Sequence, residues 1–276
     1  MSACTPLLGC PELAEVEILE QIGQGSTKSV YRGLWRGHQV ALAALAEPSL
    51  RADFHHGLQM LRSLSPSEHV VQLVGFCGDV IVTEFHRRGD AGAAAVLVRA
   101  AGGGATAARL ALRLCQSYAA ALAFLHDSPV GRRVMCDSND LHKTLQQWLL
   151  TADDRLVAAD LDALPDASAG PVRCGRRLIE GEFAAPEQRW RHGREPPGYD
   201  EKTDVWKLAA VCEHFLSAAP DGEYLKLELH GIHKRCRSVP ARLRPSAAEV
   251  VEEYDRVVHG FSESEYVSPS MVSPTL

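Results

Sequence analysis

The order of patterns along the chain predicts an α+β fold in two lobes. Three observations carry that expectation. Strand-like runs crowd the first 85 residues around one helical stretch, helical periodicity dominates beyond residue 106, and no internal repeat interrupts the progression. The 276 residues are 46% hydrophobic, with Lys+Arg 29 against Asp+Glu 35, which is enough apolar material for a large core. A net charge of −6 and a pI near 6.1 argue against a dedicated nucleic-acid binder, which would carry a basic face. Runs such as 93–98 and 118–125 are too short to span a bilayer, and the N-terminus lacks the basic start and long apolar stretch of a signal peptide. The chain reads as soluble, or as the soluble part of something longer.

Residues 1–14 form a lead with two cysteines and two prolines. Strands are expected over 16–22, 29–35 and 39–42, punctuated by Gly23-Gln24-Gly25 and by Arg36-Gly37-His38. Phe54, Leu58, Leu61 and Leu64 recur at helical spacing. Residues 70–77 and 80–85 read as a strand, a Gly-Asp turn and a strand. The Ala/Gly-rich stretch 87–106 predicts a loosely specified helix and loop. Leu110, Leu114, Tyr118, Ala121, Leu122 and Leu125 then make an apolar stripe that ends at His126. Short strands are expected at 133–136 and 156–159, and helices at 204–217, 224–234 and 247–258, with a Gly/Pro-punctuated stretch over 163–200. The Ser/Pro-rich tail 262–276 is expected to be disordered. The organisation is a lead (1–14), a small lobe (15–86), a large lobe (87–258) and a tail (259–276), with a ligand cleft between the lobes.

Residue scarcity narrows the chemistry. Asparagine occurs once, at Asn139, and of six lysines only Lys28 lies in the first half. Eight cysteines contain no Cys-x-x-Cys pair, so a zinc ribbon is disfavoured. Both free buried thiols and disulfides in an oxidising compartment fit their number.

Gly23-x-Gly25 is weak by itself, but it links two strands, and glycines there let backbone N–H groups close over a phosphate chain. Asp137 leaves a short strand, where it can take a proton from a nucleophilic hydroxyl. Asp160 and Asp162 leave another, and acids at neighbouring strand ends suit Mg²⁺. Ordinary turn aspartates would look the same, so the order decides. The Gly-rich turn is followed by Val40-Ala41-Leu42, a helix, two strands, a helix ending Leu125-His126, Cys136-Asp137, Asp160-Leu161-Asp162, Ala185-Pro186-Glu187, Asp204-Val205-Trp206 and Arg244-Pro245. This succession is similar to the protein-kinase signature set and implies a bilobal protein-kinase-like fold. It also implies that Glu187 pairs with Arg244 and that Asp204 holds the catalytic-loop backbone.

The departures are as informative. The strand Val-Ala-Ile-Lys reads Val40-Ala41-Leu42-Ala43, without the phosphate-binding lysine, and the partner glutamate falls on Gly57. Lys28 replaces the third glycine of the phosphate loop, so the positive charge is expected from above the phosphates. His-Arg-Asp reads Met135-Cys136-Asp137, the second-metal asparagine five residues on is His142, and Asp-Phe-Gly reads Asp160-Leu161-Asp162.

The runs Ser128-Pro129-Val130-Gly131, Val134-Met135-Cys136-Asp137-Ser138-Asn139-Asp140-Leu141, Lys143-Thr144-Leu145 and Asp160-Leu161-Asp162-Ala163-Leu164-Pro165 closely resemble the protein O-mannose kinase family. So do residues 183–188 and 199–202, and the resemblance spans about 4–258, with 87–106 matching poorly. It implies transfer of the ATP γ-phosphate to the 6-hydroxyl of O-linked mannose, in the GalNAc-β3-GlcNAc-β4-mannose trisaccharide of α-dystroglycan. ATP with Mg²⁺ or Mn²⁺ is the implied cofactor set, with no nucleic-acid partner and a monomeric state. The implied location is the endoplasmic reticulum, as a type II single-pass protein with a lumenal kinase domain, its anchor missing from this chain. On this reading Asp137 is the base, and Asp160 holds the metal with Asn139, Asp140 or Asp162 completing the shell. Gly23, Gly25 and Lys28 engage the phosphates, Val30 and Ala41 sandwich the adenine, and the backbone around Glu84 meets its edge. Cys4, Cys10, Cys77, Cys136, Cys174 and Cys236 fall at family cysteine positions, while Cys115 and Cys212 do not. The competing readings are an inactive pseudokinase acting as a binding module, and a cytosolic protein Ser/Thr or Tyr kinase. The second is disfavoured because no lysine stands two residues after Asp137.

Overall fold

The computed structural model of the chain describes residues 6–136, 140–173, 179–189, 195 and 197–260. Among them, an antiparallel sheet with one long helix precedes a mostly helical lobe. Strands β1 (Glu17–Gln24), β2 (Lys28–Trp35), β3 (His38–Leu45), β4 (Leu73–Cys77) and β5 (Val80–Glu84) lie in the order β1-β2-β3-β5-β4. Arg36 and Gly37 make the tight turn between β2 and β3, both at positive φ (47° and 82°), the conformation that matches the twist of a two-residue hairpin. The period of two on β3 separates Val40 and Leu42 from Ala41 and Ala43. The first pair joins a small cluster with Val82, covered by Leu13, Val16 and Trp35. The second pair lines the inter-lobe cleft.

The lead is an integral strap. Leu8 makes a parallel bridge to Gly75 on the outer edge of β4, and α1 (Cys10–Leu13) follows, with Cys10 disulfide-bonded to Cys77. Only glycine fits at Gly75, because a Cβ there would stand 2.5 Å from Leu8. Helix α2 (Arg51–Leu64) buries Phe54, Leu58, Leu61 and Leu64, at the expected spacing, together with Gly57 and Met60. The strand expected from residue 70 begins only at Leu73. Val70 and Val71 spend their backbone on the large lobe instead, where Val71 N–H donates to Ala158 O (2.9 Å).

In the large lobe, Asp90 accepts from Gly92 N–H and starts a short turn that leads into α3 (Ala94–Ala100). Residues 87–106 are thus better specified than expected, since Ala91, Ala94, Ala95 and Val98 are fully or almost fully buried. Gly102 and Gly104 at positive φ break the chain between α3 and α4 (Ala105–His126). The buried alanines of α4 let α6 (Lys202–Leu216) and α8 (Ala247–Gly260) pack closely against it. The strand expected at 133–136 is a single bridge from Arg133 to Asp166, with Val134 and Cys136 N–H donating to the Pro165 and Ala163 carbonyls. Two elements between the motifs went unread in the sequence, α5 (Leu141–Gln146) and β6 (Trp148–Leu150), the latter paired with β7 (Leu156–Ala158). Helix α7 (Gly222–Cys236) completes the lobe.

The cysteines are mostly oxidised. A second disulfide, Cys115–Cys212, ties α4 to α6 in the core, Cys136 is also disulfide-bonded, and Cys236 is free and buried. The free-thiol reading therefore survives only for Cys236 among the described residues. Cys4, Cys174 and the tail lie outside them. None of the described helices is long and apolar enough to cross a membrane.

Candidate active site

Gly25 N–H donates to Lys28 O (2.9 Å) and closes the β1–β2 hairpin, so Lys28 leaves the turn as the first residue of β2. Its stem runs into the cleft, where Nζ lies 3.0 Å from Asp160 Oδ1 and 3.0 Å from Asp162 Oδ1. Ala43, standing where a strand lysine is usual, pairs with Val30 on β2, two residues from Lys28. The ammonium thus enters the cleft from the neighbouring strand.

The charges respond to this arrangement. Burial alone would lower the Lys28 pKa, but the two facing carboxylates hold it above the ordinary lysine value. Burial would likewise raise Asp160, and the Lys28 ammonium, aided by Lys143, pulls it below the usual carboxylate value. Asp162 is the more enclosed acid (10% against 37% exposed). Burial pushes it up to about 6 despite Lys28, with the Asp160 charge adding to the rise.

Gly57 explains how a second acid fits here. It sits on the buried face of α2, and a Cβ at that position would stand 2.1 Å from Asp162 Oδ1 and 3.3 Å from Asp162 Cα. The missing helix glutamate and the extra loop carboxylate are therefore one change in packing: Asp162 occupies the room a side chain at 57 would take. α2 is further tied to this segment by His56, whose Nε2 donates to Leu164 O (3.1 Å).

Asp160 is positioned through its backbone. Gln147 O accepts from both Ala159 N–H (2.9 Å) and Asp160 N–H (3.3 Å), just beyond the β6–β7 pairing. Across the cleft, Glu84 ends β5 and its carboxylate accepts from Gln72 N–H (2.9 Å) and faces His86 Nε2 (3.2 Å). Burial would raise its pKa, yet these two contacts lower it. Deeper in the large lobe, Asp204 accepts from Met135 N–H (3.0 Å) and lies 3.2 Å from His126 Nε2, while Arg244 Nη2 donates to Glu187 Oε2 (2.8 Å). The backbone at Met135, just before Asp137 in sequence, is thereby anchored to α6.

Gly23, Gly25, Lys28, Val30, Ala41, Glu84, Asp160 and Asp162 all line one cleft of about 1110 Å³. Asp137 and Asn139 lie outside the described residues. His142, the position reached by counting five residues from Asp137, is exposed on α5 and lies 3.1 Å from Gln146 Nε2. It is not among the residues lining the cleft. Sequence reasoning missed Gln147, which lies immediately before β6, is 4% exposed, lines the cleft and carries an Oε1 with no partner among the described residues. Its signal was its place before the Trp-Leu-Leu strand, which the unread α5 obscured.

The donor pair suits a hard divalent cation: two carboxylates whose oxygens one ammonium already bridges. The arrangement can neutralise phosphate oxygens from the hairpin side and hold a cation on the large-lobe side.

The family described as protein tyrosine and serine/threonine kinase matches residues 16–237. Protein O-mannose kinase of Macaca fascicularis is 40% identical over 272 residues, covering 94% of this chain and 77% of that protein. The Homo sapiens protein of the same name is 40% identical with the same coverage, and that of Gallus gallus is 40% identical over 269 residues, covering 92% and 76%.

Proposed function

The chain belongs to the protein O-mannose kinase family within the protein kinases, and on that premise we propose that it transfers the ATP γ-phosphate to the 6-hydroxyl of an O-linked mannose. It is an ATP-dependent kinase with a glycan acceptor. The single observation that carries the mechanism is the Lys28 ammonium set 3.0 Å from both Asp160 and Asp162. It answers the absence of the strand lysine, which otherwise favours an inactive binding module.

Phosphoryl transfer needs in-line positioning and positive charge around the transferring oxygens. Gly23 and Gly25 let the hairpin backbone approach the phosphates, and Lys28 clamps them from above. Val30 and Ala41 enclose the adenine, whose edge meets the backbone beside Glu84. Asp160 and Asp162 would hold Mg²⁺ or Mn²⁺, which would supply charge neutralisation to the transferring phosphate. Asp137, at the end of the segment that Asp204 anchors through Met135, takes the proton of the mannose 6-hydroxyl.

The acceptor we assign is the GalNAc-β3-GlcNAc-β4-mannose trisaccharide of α-dystroglycan, and the compartment the lumen of the endoplasmic reticulum, with a type II anchor. Two fully described disulfides and a disulfide-bonded Cys136 support an oxidising compartment. The test is a transfer assay offering the mannosyl trisaccharide and a generic protein substrate side by side. Phosphorylation of the trisaccharide alone is expected; labelling of the protein alone overturns the glycan assignment, and labelling of neither returns the inactive-module reading.

A further inference from the structure

Lys207 is a buried charge that the reaction above leaves unexplained. It directly follows the Asp204-Val205-Trp206 motif and sits on α6, three residues beyond Asp204, at 1% exposure. A lysine is almost never buried this deeply unless its charge is balanced. Its Nζ lies 3.9 Å from Asp204 Oδ1, in a pair whose side chains are 1% and 2% exposed. The two oxygens of Asp204 therefore have separate tasks. Oδ2 accepts from Met135 N–H (3.0 Å) and faces His126 Nε2 (3.2 Å). Oδ1 is shielded from water, makes no hydrogen bond among the described residues and faces the ammonium.

The other titratable groups beside Asp204 do not replace that ammonium. Tyr118, buried on α4, is held above its ordinary value by burial and then by the Asp204 charge, so it stays a neutral phenol. His126 carries a charge only when protonated. A buried carboxylate stripped of its counter-charge takes up a proton or draws water in, and either outcome weakens its hold on a backbone N–H. Met135 stands two residues before Asp137. We propose that Lys207 is a positioning residue for phosphoryl transfer: its ammonium balances Asp204, so that the carboxylate keeps Met135, and with it the approach to Asp137, in place. This assignment rests on the kinase reading but not on the identity of the acceptor.

The test is a double-mutant cycle with two readouts, hydrogen exchange at the Met135 amide and steady-state transfer to the mannosyl trisaccharide. Lys207→Met keeps most of the stem and removes the charge. It should speed Met135 exchange about tenfold or more and lower kcat by about ten- to hundredfold. Binding of a non-hydrolysable ATP analogue should be unchanged, because Lys28 and the glycine hairpin line the cleft and Lys207 does not. When Asp204→Asn is combined with Lys207→Met, an amide oxygen still accepts from Met135 and the pair carries no charge. Protection and kcat should then exceed those of either single variant. Additive losses in the cycle overturn the proposal, as does unchanged Met135 exchange or unchanged kcat in Lys207→Met. A loss of nucleotide affinity that matches the loss of kcat also overturns it, because that is a general loosening of the lobe. If Lys207→Met does not fold, the combined variant is compared with Asp204→Asn alone, and must be the better protected and the more active of the two. A parent protein that binds nucleotide yet leaves the trisaccharide unlabelled would overturn the acceptor assignment, and Met135 exchange then judges Lys207 by itself.

Discussion

Gly57→Ala separates the packing account of the site from a simple loss of the helix glutamate. In an unconstrained helix the change would stabilise by roughly 0.5–1 kcal/mol, because glycine loses more backbone freedom on folding. Here the new methyl would stand 2.1 Å from Asp162 Oδ1 and 3.3 Å from Asp162 Cα. Relief requires Asp162 to move, and the same Oδ1 accepts from Lys28 Nζ at 3.0 Å. Overpacking typically costs about 1–3 kcal/mol, and a charge-assisted hydrogen bond contributes about 1.5–3 kcal/mol. Their sum exceeds the helix gain, so Gly57→Ala should destabilise by about 2–4 kcal/mol and lower Tm by several degrees. In an Asp162→Gly background the 2.1 Å clash is gone and only the 3.3 Å approach to Cα remains, so the same substitution should cost far less or stabilise by up to about 1 kcal/mol. The assay is a double-mutant cycle by thermal or denaturant unfolding. Equal stabilisation by Gly57→Ala in both backgrounds would refute the claim that Gly57 exists to admit Asp162.

Lys28→Ala should weaken nucleotide binding and reduce kcat/KM with the mannosyl acceptor; an unchanged kcat/KM would assign the phosphate charge to an arginine. Asp137→Ala should lower turnover by about 10² to 10⁴ while nucleotide binding persists, and near-normal turnover removes it as the base. Asp162 keeps its proton longer folded (about 6) than at its ordinary value of 3.8, so its contribution to stability falls as pH rises from about 4 to about 6. Asp162→Asn should therefore gain Tm relative to the parent across that window and run level above it; the reverse trend contradicts the assignment. Replacing Cys115 and Cys212 together by alanine removes a link across 97 residues and should cost about 2–4 kcal/mol, seen as a lower denaturation midpoint; an unshifted midpoint would mean the link does not stabilise the native state.

Where local periodicity sets structure, the sequence was easy to read. The stripe of Phe54, Leu58, Leu61 and Leu64 predicted α2, and the scarcity of lysine singled out Lys28 before any contact was visible. What stayed hidden depends on contacts far apart in sequence. Gly57 read only as a missing glutamate, because its neighbour Asp162 lies in another lobe. The disulfide pairings span 67 and 97 residues, which spacing alone does not decide. Helix α5 is too short for a periodic stripe, and β6 has only three residues, so the register that carries Gln147 was lost between them. Val70 and Val71 look like strand residues, and their backbone partner at Ala158 is supplied by tertiary structure.

The strap formed by the lead has a mechanical consequence. Leu8 sits on the β4 edge, yet the chain then crosses the back of the sheet to reach β1 at the opposite edge, with Leu13 and Val16 packed over Val40, Leu42 and Val82 on the way. A force applied ahead of Cys10 is delivered covalently to β4 and dissipated across the full width of the small lobe before it reaches the hairpin bearing Lys28. The hairpin is thereby insulated from tugging at that end, because the disulfide moors the β4 edge first.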